Sequence, residues 1–212
     1  YTRLLRYAGV TVVIPAQACC GLPALTGGVT GPMKAGMERN LASFGPYLDA
    51  GYEVVTPCPS CAMMLREEWP RRARGSGLRK DADALAARMT TLAALLGEAP
   101  VMGDAGSPLE LVYFTPCHEK ACGDTTHLEL LRARVGTRVT VIDDVCCGSG
   151  GTFGMKRKNR RISGALGEQL AARLGRAGPG QLVSPCGMCR EQLAAISGKP
   201  VVHPAELLAR AL

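Results

Sequence analysis

The strongest constraint in this chain is a repeat. VTVVIPAQACCGLP (residues 10–23) aligns with VTVIDDVCCGSG (139–150), and TPCPSCAMML (56–65) aligns with SPCGMCREQL (184–193). Cys19 and Cys146 are 127 residues apart; Cys58 and Cys186, and Cys61 and Cys189, are 128 apart. A constant offset across two separate motifs means two related halves, each of which must place a Cys-Cys-Gly loop near a Cys-x-x-Cys turn. The spacing divides the chain into a first half over 1–70, a connector over 71–108 and a second half over 109–212.

Strand-like and helix-like runs alternate in both halves. LELVYFTP runs into Cys117, RVTVID into Cys146-Cys147-Gly148, and QLVSP into Cys186-Gly187-Met188-Cys189, each followed by a helical stretch. This βαβ pattern predicts an α/β fold of two tandem halves with parallel sheets, whose cysteine loops lie at the carboxyl ends of the strands. In the first half VTVVIP and YEVVTP are the predicted strands, and 33–50 the predicted helix. The counterpart of Cys117 falls about ten residues ahead of Tyr1 at the repeat offset, so the chain is expected to begin inside its first domain, with that site one ligand short.

The connector predicts a basic loop, a helix over 84–96 and a Gly/Pro loop, GEAPVMGDAGSP. Leu85, Met89, Leu92 and Leu96 share a stripe on that helix, suited to packing between the halves or to lying on a membrane surface.

Ten cysteines in a chain with neither an opening signal-peptide pattern nor an apolar run near the ~18 residues that span a bilayer point to a cytoplasmic, metal-binding or redox protein rather than a disulfide framework. Adjacent cysteines in extended backbone point apart, so Cys-Cys chelates one zinc poorly. Two adjacent thiolates, a CxxC pair and one distant cysteine better suit a polynuclear iron–sulfur cluster. Gly21 and Gly148 are expected to let backbone approach the cluster and offer N–H donors to sulfur. Cysteines buried merely as small hydrophobes would not repeat in fixed order.

The frame of CCG and CxxC twice over, with a leading cysteine in the second copy, resembles the cysteine-rich CCG-domain family, which includes the B component of heterodisulfide reductase and iron–sulfur subunits of glycolate and lactate oxidation. YFTPCHEK, HLELL, CCGSGGTFGMKRKN and VVHPAELLARAL are most similar to the branch formed by the C component of anaerobic glycerol-3-phosphate dehydrogenase. The resemblance implies a [4Fe-4S] cluster, noncubane in type, on Cys117, Cys146, Cys147, Cys186 and Cys189, and a [4Fe-4S] cluster or zinc on Cys19, Cys20, Cys58 and Cys61. It also implies an electron-transfer subunit with flavin dehydrogenase subunits as partners, relaying electrons towards the quinone pool from the inner face of the membrane, peripherally attached. The alternatives are a catalytic protein like the B component of heterodisulfide reductase and a zinc-stapled interaction module. The ferredoxin-type modules that the glycerol-3-phosphate dehydrogenase branch carries upstream are not in this sequence.

Several residues remain open. His118 either serves a cluster sulfur or is structural, His203 fits a structural place at a helix start, and Cys122 has no repeat counterpart. The basic run from Met155 to Arg161 reads as a solvated face or as compensation for cluster charge; with 4% aromatic residues and no recognition motif, nucleic acid is not an expected partner. The net charge of +7 agrees with an acidic prosthetic group or anionic partners.

Overall fold

In a computed structural model, residues 1–96, 110–134, 138–210 and 212 are described. The protein is α/β, with one four-stranded parallel sheet. Its strands are β1 (Glu110–Phe114), β2 (Arg138–Ile142), β3 (Gln181–Val183) and β4 (Val201–Val202), in the order β2-β1-β3-β4. Phe114 pairs with Ile142, Leu111 with Gln181 and Leu182 with Val201, so the strands end along one edge.

Parallel strands need crossovers, and helices supply them. In the first half lie α1 (Thr2–Tyr7), α2 (Leu22–Thr26), α3 (Thr30–Asp49), α4 (Pro59–Met63) and α5 (Trp69–Arg72), followed by α6 (Arg79–Ala87) and α7 (Leu92–Leu96) of the connector. Around the sheet lie α8 (Cys117–Ala121), α9 (Thr126–Arg134), α10 (Arg160–Ala177), α11 (Gly187–Ser197) and α12 (Pro204–Arg210). Leu111, Tyr113 and Val183 face a core shared with α1, α7, α9 and α12, while Val112, Phe114 and Leu182 face a second core beside α10 and α11. A sheet covered on both faces explains why β1 reads as a continuous apolar run.

The expectation of a sheet in the first half is corrected. Among the described residues, 10–20 form no strand, and YEVVTP contributes only a parallel bridge from Val54 to Met89. At the repeat offset, 10–15 corresponds to β2 and 53–55 to β3, and β1 sits between those two strands. The equivalent space in the first half is a cavity of about 560 Å³, lined by Val10, Val12, Ile14, Phe44, Val54 and Val55 among others. Backbone bordering a cavity has no ladder to join, however strand-like its side chains.

Helices dominate this half. The predicted helix over 33–50 is α3, and α4 runs through a π-helical turn (Met64–Glu68) into α5. Pro70 has no N–H to give to Arg66, which accompanies the widened turn. Met33, Met37, Met64, Trp69 and Leu85 form a third core.

The connector helix is divided. It breaks at Met89–Thr90–Thr91, where Val54 accepts from Thr90 N at 2.9 Å. Leu85 and Met89 therefore pack into the first-half core, and Leu92 and Leu96 into the core beneath the sheet. The stripe joins the halves, with Leu85, Leu92 and Leu96 buried and so closed to a membrane surface. GEAPVMGDAGSP lies outside the described residues.

Candidate metal centre

The second half delivers its cysteines as the repeat predicts. Cys117 opens α8 three residues beyond β1, Cys146 and Cys147 lie four and five beyond β2, and Cys186 lies three beyond β3 as the N-cap of α11. The chain leaves β1 for β2 on one side and returns to β3 on the other, so the loops meet at the switch point of the sheet, where such folds bind ligands. Cys189, one turn into α11, donates to Cys147 Sγ at 3.3 Å. That bond, ahead of any other influence, lowers the Cys147 thiol to about 6, while donation to Cys147 and then Cys186 pushes Cys189 far up. Burial raises Cys117, with further contributions from the nearby charges of Cys146, Cys147 and Cys186.

The first half repeats this arrangement. Cys61 donates to Cys20 Sγ at 3.4 Å, and this bond brings the Cys20 thiol down to about 7. Cys58 is held well below the ordinary thiol range by hydrogen bonds from Cys186 and Cys61, so the two sets abut. The bond from Cys189 pulls Cys186 down, but its bond to Cys58 together with burial outweighs that pull and leaves it raised. Cys147, Cys186 and Cys189 are buried and Cys117 and Cys146 exposed; in the first set Cys19 is exposed and Cys20, Cys58 and Cys61 are half-buried.

These thiols stand in for the thiolates that would bind a metal. Two sulfurs on one tetrahedral zinc, each at about 2.3 Å, lie about 3.8 Å apart, so both close pairs must open by a few tenths of an ångström to share an ion. Among the described residues, no group of three or more ligating side chains is arranged to hold one metal as it stands. The donor set nonetheless fits a thiophilic centre, being cysteine-rich, paired and repeated.

The glycines serve mainly the packing behind the loops. Gly148 has φ +86°, and a Cβ there would meet Ser163 O at 2.8 Å on α10; Gly21 has φ +93°, and its Cβ would meet Met33 Cγ at 2.5 Å on α3. Close approach to α3 and α10 already requires glycine at both positions. The expected N–H donor is present in the second half, where Gly148 N donates to Cys146 Sγ at 3.3 Å.

His118 meets Ser60 Oγ through Nδ1 at 2.8 Å rather than a cysteine sulfur. His203 accepts from Ala205 N at Nδ1 (3.0 Å), capping α12, so its Nε2 donates to Pro57 O (2.9 Å) beside Cys58. Its expected structural place thus extends to bracing the first cysteine turn. Cys122 stands apart from both sets, 3.8 Å from Glu67 Oε1, and residues 155–158 of the basic run are exposed.

Three supports carried no sequence signal of their own. Asn40 is buried in α3 and bonds both Ala18 N (2.6 Å) and Ala18 O (3.0 Å), fixing the loop ahead of Cys19. Trp69, fully buried, donates to Cys20 O at 2.9 Å. Ser60, inside the CPSC turn, reaches across to Cys186 Sγ at 3.6 Å.

A family model described as a CCG cysteine-rich domain matches residues 1–66 and 111–194. The C component of anaerobic glycerol-3-phosphate dehydrogenase from Escherichia coli K12 is 33% identical over 215 residues, covering 99% of this chain and 54% of that protein. Lactate utilization protein A of Geobacillus thermodenitrificans is 34% identical over 176 residues (79% of this chain, 69% of the relative). The Lysinibacillus sphaericus protein of the same name is 31% identical over 204 residues (91% and 86%). The chain spans about half the length of the glycerol-3-phosphate dehydrogenase relatives.

Proposed function

The chain belongs to the CCG cysteine-rich domain family, and from that membership we propose that it is an iron–sulfur electron-transfer subunit serving a flavin dehydrogenase and relaying electrons towards quinone. The observation that carries this reading is the contact between two repeated cysteine sets, with Ser60 of the first CxxC turn 3.6 Å from Cys186 Sγ of the second. Single-electron relays need redox centres close together, and here the two loop sets share one interface.

Cys117, Cys146, Cys147, Cys186 and Cys189 would hold a [4Fe-4S] cluster of noncubane type, and Cys19, Cys20, Cys58 and Cys61 a [4Fe-4S] cluster or zinc. When bound, an iron–sulfur cluster takes up and releases single electrons. The protein's own part is to hold the thiolates in place, lend N–H donors such as Gly148 N, and screen the buried ligands from water. No helix among the described residues is long and apolar enough to cross a membrane. We place the protein peripherally on the inner, cytoplasmic face, where exposed cations between Lys156 and Arg161 would meet anionic lipid. The names of the relatives connect them with glycerol 3-phosphate and lactate oxidation, which supports a dehydrogenase partner for this chain.

Anaerobically prepared protein is expected to be brown and to contain iron and acid-labile sulfide. In the presence of the partner subunits, the reduced centre is expected to be oxidised by a quinone analogue. Stoichiometric zinc alone would replace this reading with an interaction module. Disulfide turnover by this chain, with a new paramagnetic state on adding thiol, would replace it with heterodisulfide reductase-type catalysis.

A further inference from the structure

The two cysteine sets also touch through a hydroxyl. Ser60 lies between Cys58 and Cys61 in the first turn of α4 and is buried. Its Oγ is 3.6 Å from Cys186 Sγ, a buried member of the second set, and 2.8 Å from His118 Nδ1. Both neighbours belong to the other half, so α4 packs its cysteine turn directly onto α8 and the start of α11.

A serine hydroxyl has one proton, so between two such neighbours it donates to one and accepts from the other. A cysteine bound to metal is a thiolate, which only accepts. Ligation of Cys186 therefore fixes the direction of the chain: His118 Nδ1–H gives to Ser60 Oγ, and Ser60 O–H gives to Cys186 Sγ. We propose that Ser60, oriented by His118, is a positioning residue through which the first half sets the reduction potential of the second-half centre. The inference rests on reading these cysteines as cluster ligands.

The physics is charge stabilisation. One-electron reduction adds a negative charge shared by the ligand sulfurs, and a donor aimed at one of them favours the reduced form and raises the potential. Low local dielectric strengthens a buried donor, and the His118 bond polarises it further. The effect runs one way across the interface. At the repeat offset Ser60 corresponds to Met188, whose thioether has no proton to give, and Cys186, which donates to Cys58 as a thiol, loses that proton on ligation. Ser60 therefore raises the second centre relative to the first and favours electron passage from first to second.

The test is an anaerobic, EPR-monitored redox titration with resonance Raman of the Fe–S stretches, run on loaded protein in a Cys20→Ser background so that the remaining signal belongs to the second centre. Ser60→Ala should keep its iron and sulfide, lower the midpoint potential and raise the Fe–S stretching frequency. Ser60→Thr should restore both, and His118→Ala should give part of the downward shift. A Ser60→Ala midpoint and stretch equal to those of the parent would overturn the proposal. If Ser60→Ala does not load, an unchanged midpoint in His118→Ala would overturn it and a lowered one would support it. Parent protein lacking iron and sulfide would overturn the cluster reading itself, a result that metal analysis separates from an unshifted potential.

Discussion

Cys189 donates to Cys147 at 3.3 Å, and Cys61 donates to Cys20 at 3.4 Å, so the same pair of repeat positions forms the same bond in both halves. In each case the accepting cysteine is preceded by another cysteine and followed by a left-handed glycine, and the donating cysteine sits one turn into a helix. The repeat is thus retained in the geometry of the sites even where it is lost from the sheet.

Removing the donor should switch off the low-lying thiol. In metal-free protein Cys147 titrates near 6 because Cys189 stabilises its thiolate. Cys189→Ala should return it towards the ordinary value near 8.5, which cuts its thiolate fraction at pH 7 about 30-fold; higher intrinsic nucleophilicity offsets most of this, so its alkylation rate at pH 7 should fall about two- to threefold. Mass-resolved alkylation across pH reads this directly; an unchanged midpoint would show that the bond does not set the thiol.

The two sites should differ in metal retention. The second set stands on sheet strands with three of its five cysteines buried, whereas the first stands outside the sheet, beside a cavity, with none of its four cysteines buried. Cys147→Ser should abolish most of the cluster absorbance and Cys20→Ser should remove little. The reverse ranking would assign the more stable site to the first half.

Trp69 offers a selective report on the first site. It is the chain's single tryptophan and donates to Cys20 O. Loading the first site should change its emission in the Cys147→Ser protein as in the parent, while Cys20→Ser should suppress that change. Equal responses in Cys20→Ser and the parent would show that the indole senses something other than this loop.

Much of the site was legible because cysteine spacing survives whatever the backbone does around it. Cys117, Cys146, Cys147, Cys186 and Cys189 could be placed together because parallel strands put their loops at one edge. The first-half strands misled because VTVVIP carries the side chains of a strand, and a sheet is made by backbone partners that hydropathy does not encode. Ser60, Trp69 and Asn40 were not legible for a related reason. Each acts on a residue at least 22 positions away through a single polar atom, which leaves no periodicity.

Gly148→Ala should be costlier than Gly21→Ala. Both positions have positive φ, but the added methyl meets the backbone carbonyl of Ser163 at 2.8 Å at 148, whereas at 21 its nearest contact is Met33 Cγ and the Met33 backbone comes no nearer than 3.1 Å. Strain of this kind costs about 1–3 kcal/mol, and an unyielding neighbour adds to it. Chemical denaturation of the two variants gives the ranking, and an equally stable pair would show that α10 can move away from the loop.

His203 should make stability fall with acid. Burial, before the opposing hydrogen bond to Pro57 O, lowers its pKa from 6.5 to about 4. Between those values the unfolded chain binds the proton and the folded protein does not, so stability rises with pH through that window. The contribution is fully present above pH 6.5 and is lost as pH falls towards 4, to a total of about 3 kcal/mol for a shift of this size. Tyr1 and His127 pack against the ring; the charges of His127 and Arg190 add to the lowering, and Glu206, whose Oε1 accepts from His203 N at 3.1 Å, opposes it. His203→Gln should flatten this part of the pH–stability curve in metal-free protein and, by loosening the brace on Pro57, weaken metal retention at the first site. A curve between pH 4 and 6.5 as steep in His203→Gln as in the parent would assign the acid sensitivity to other groups.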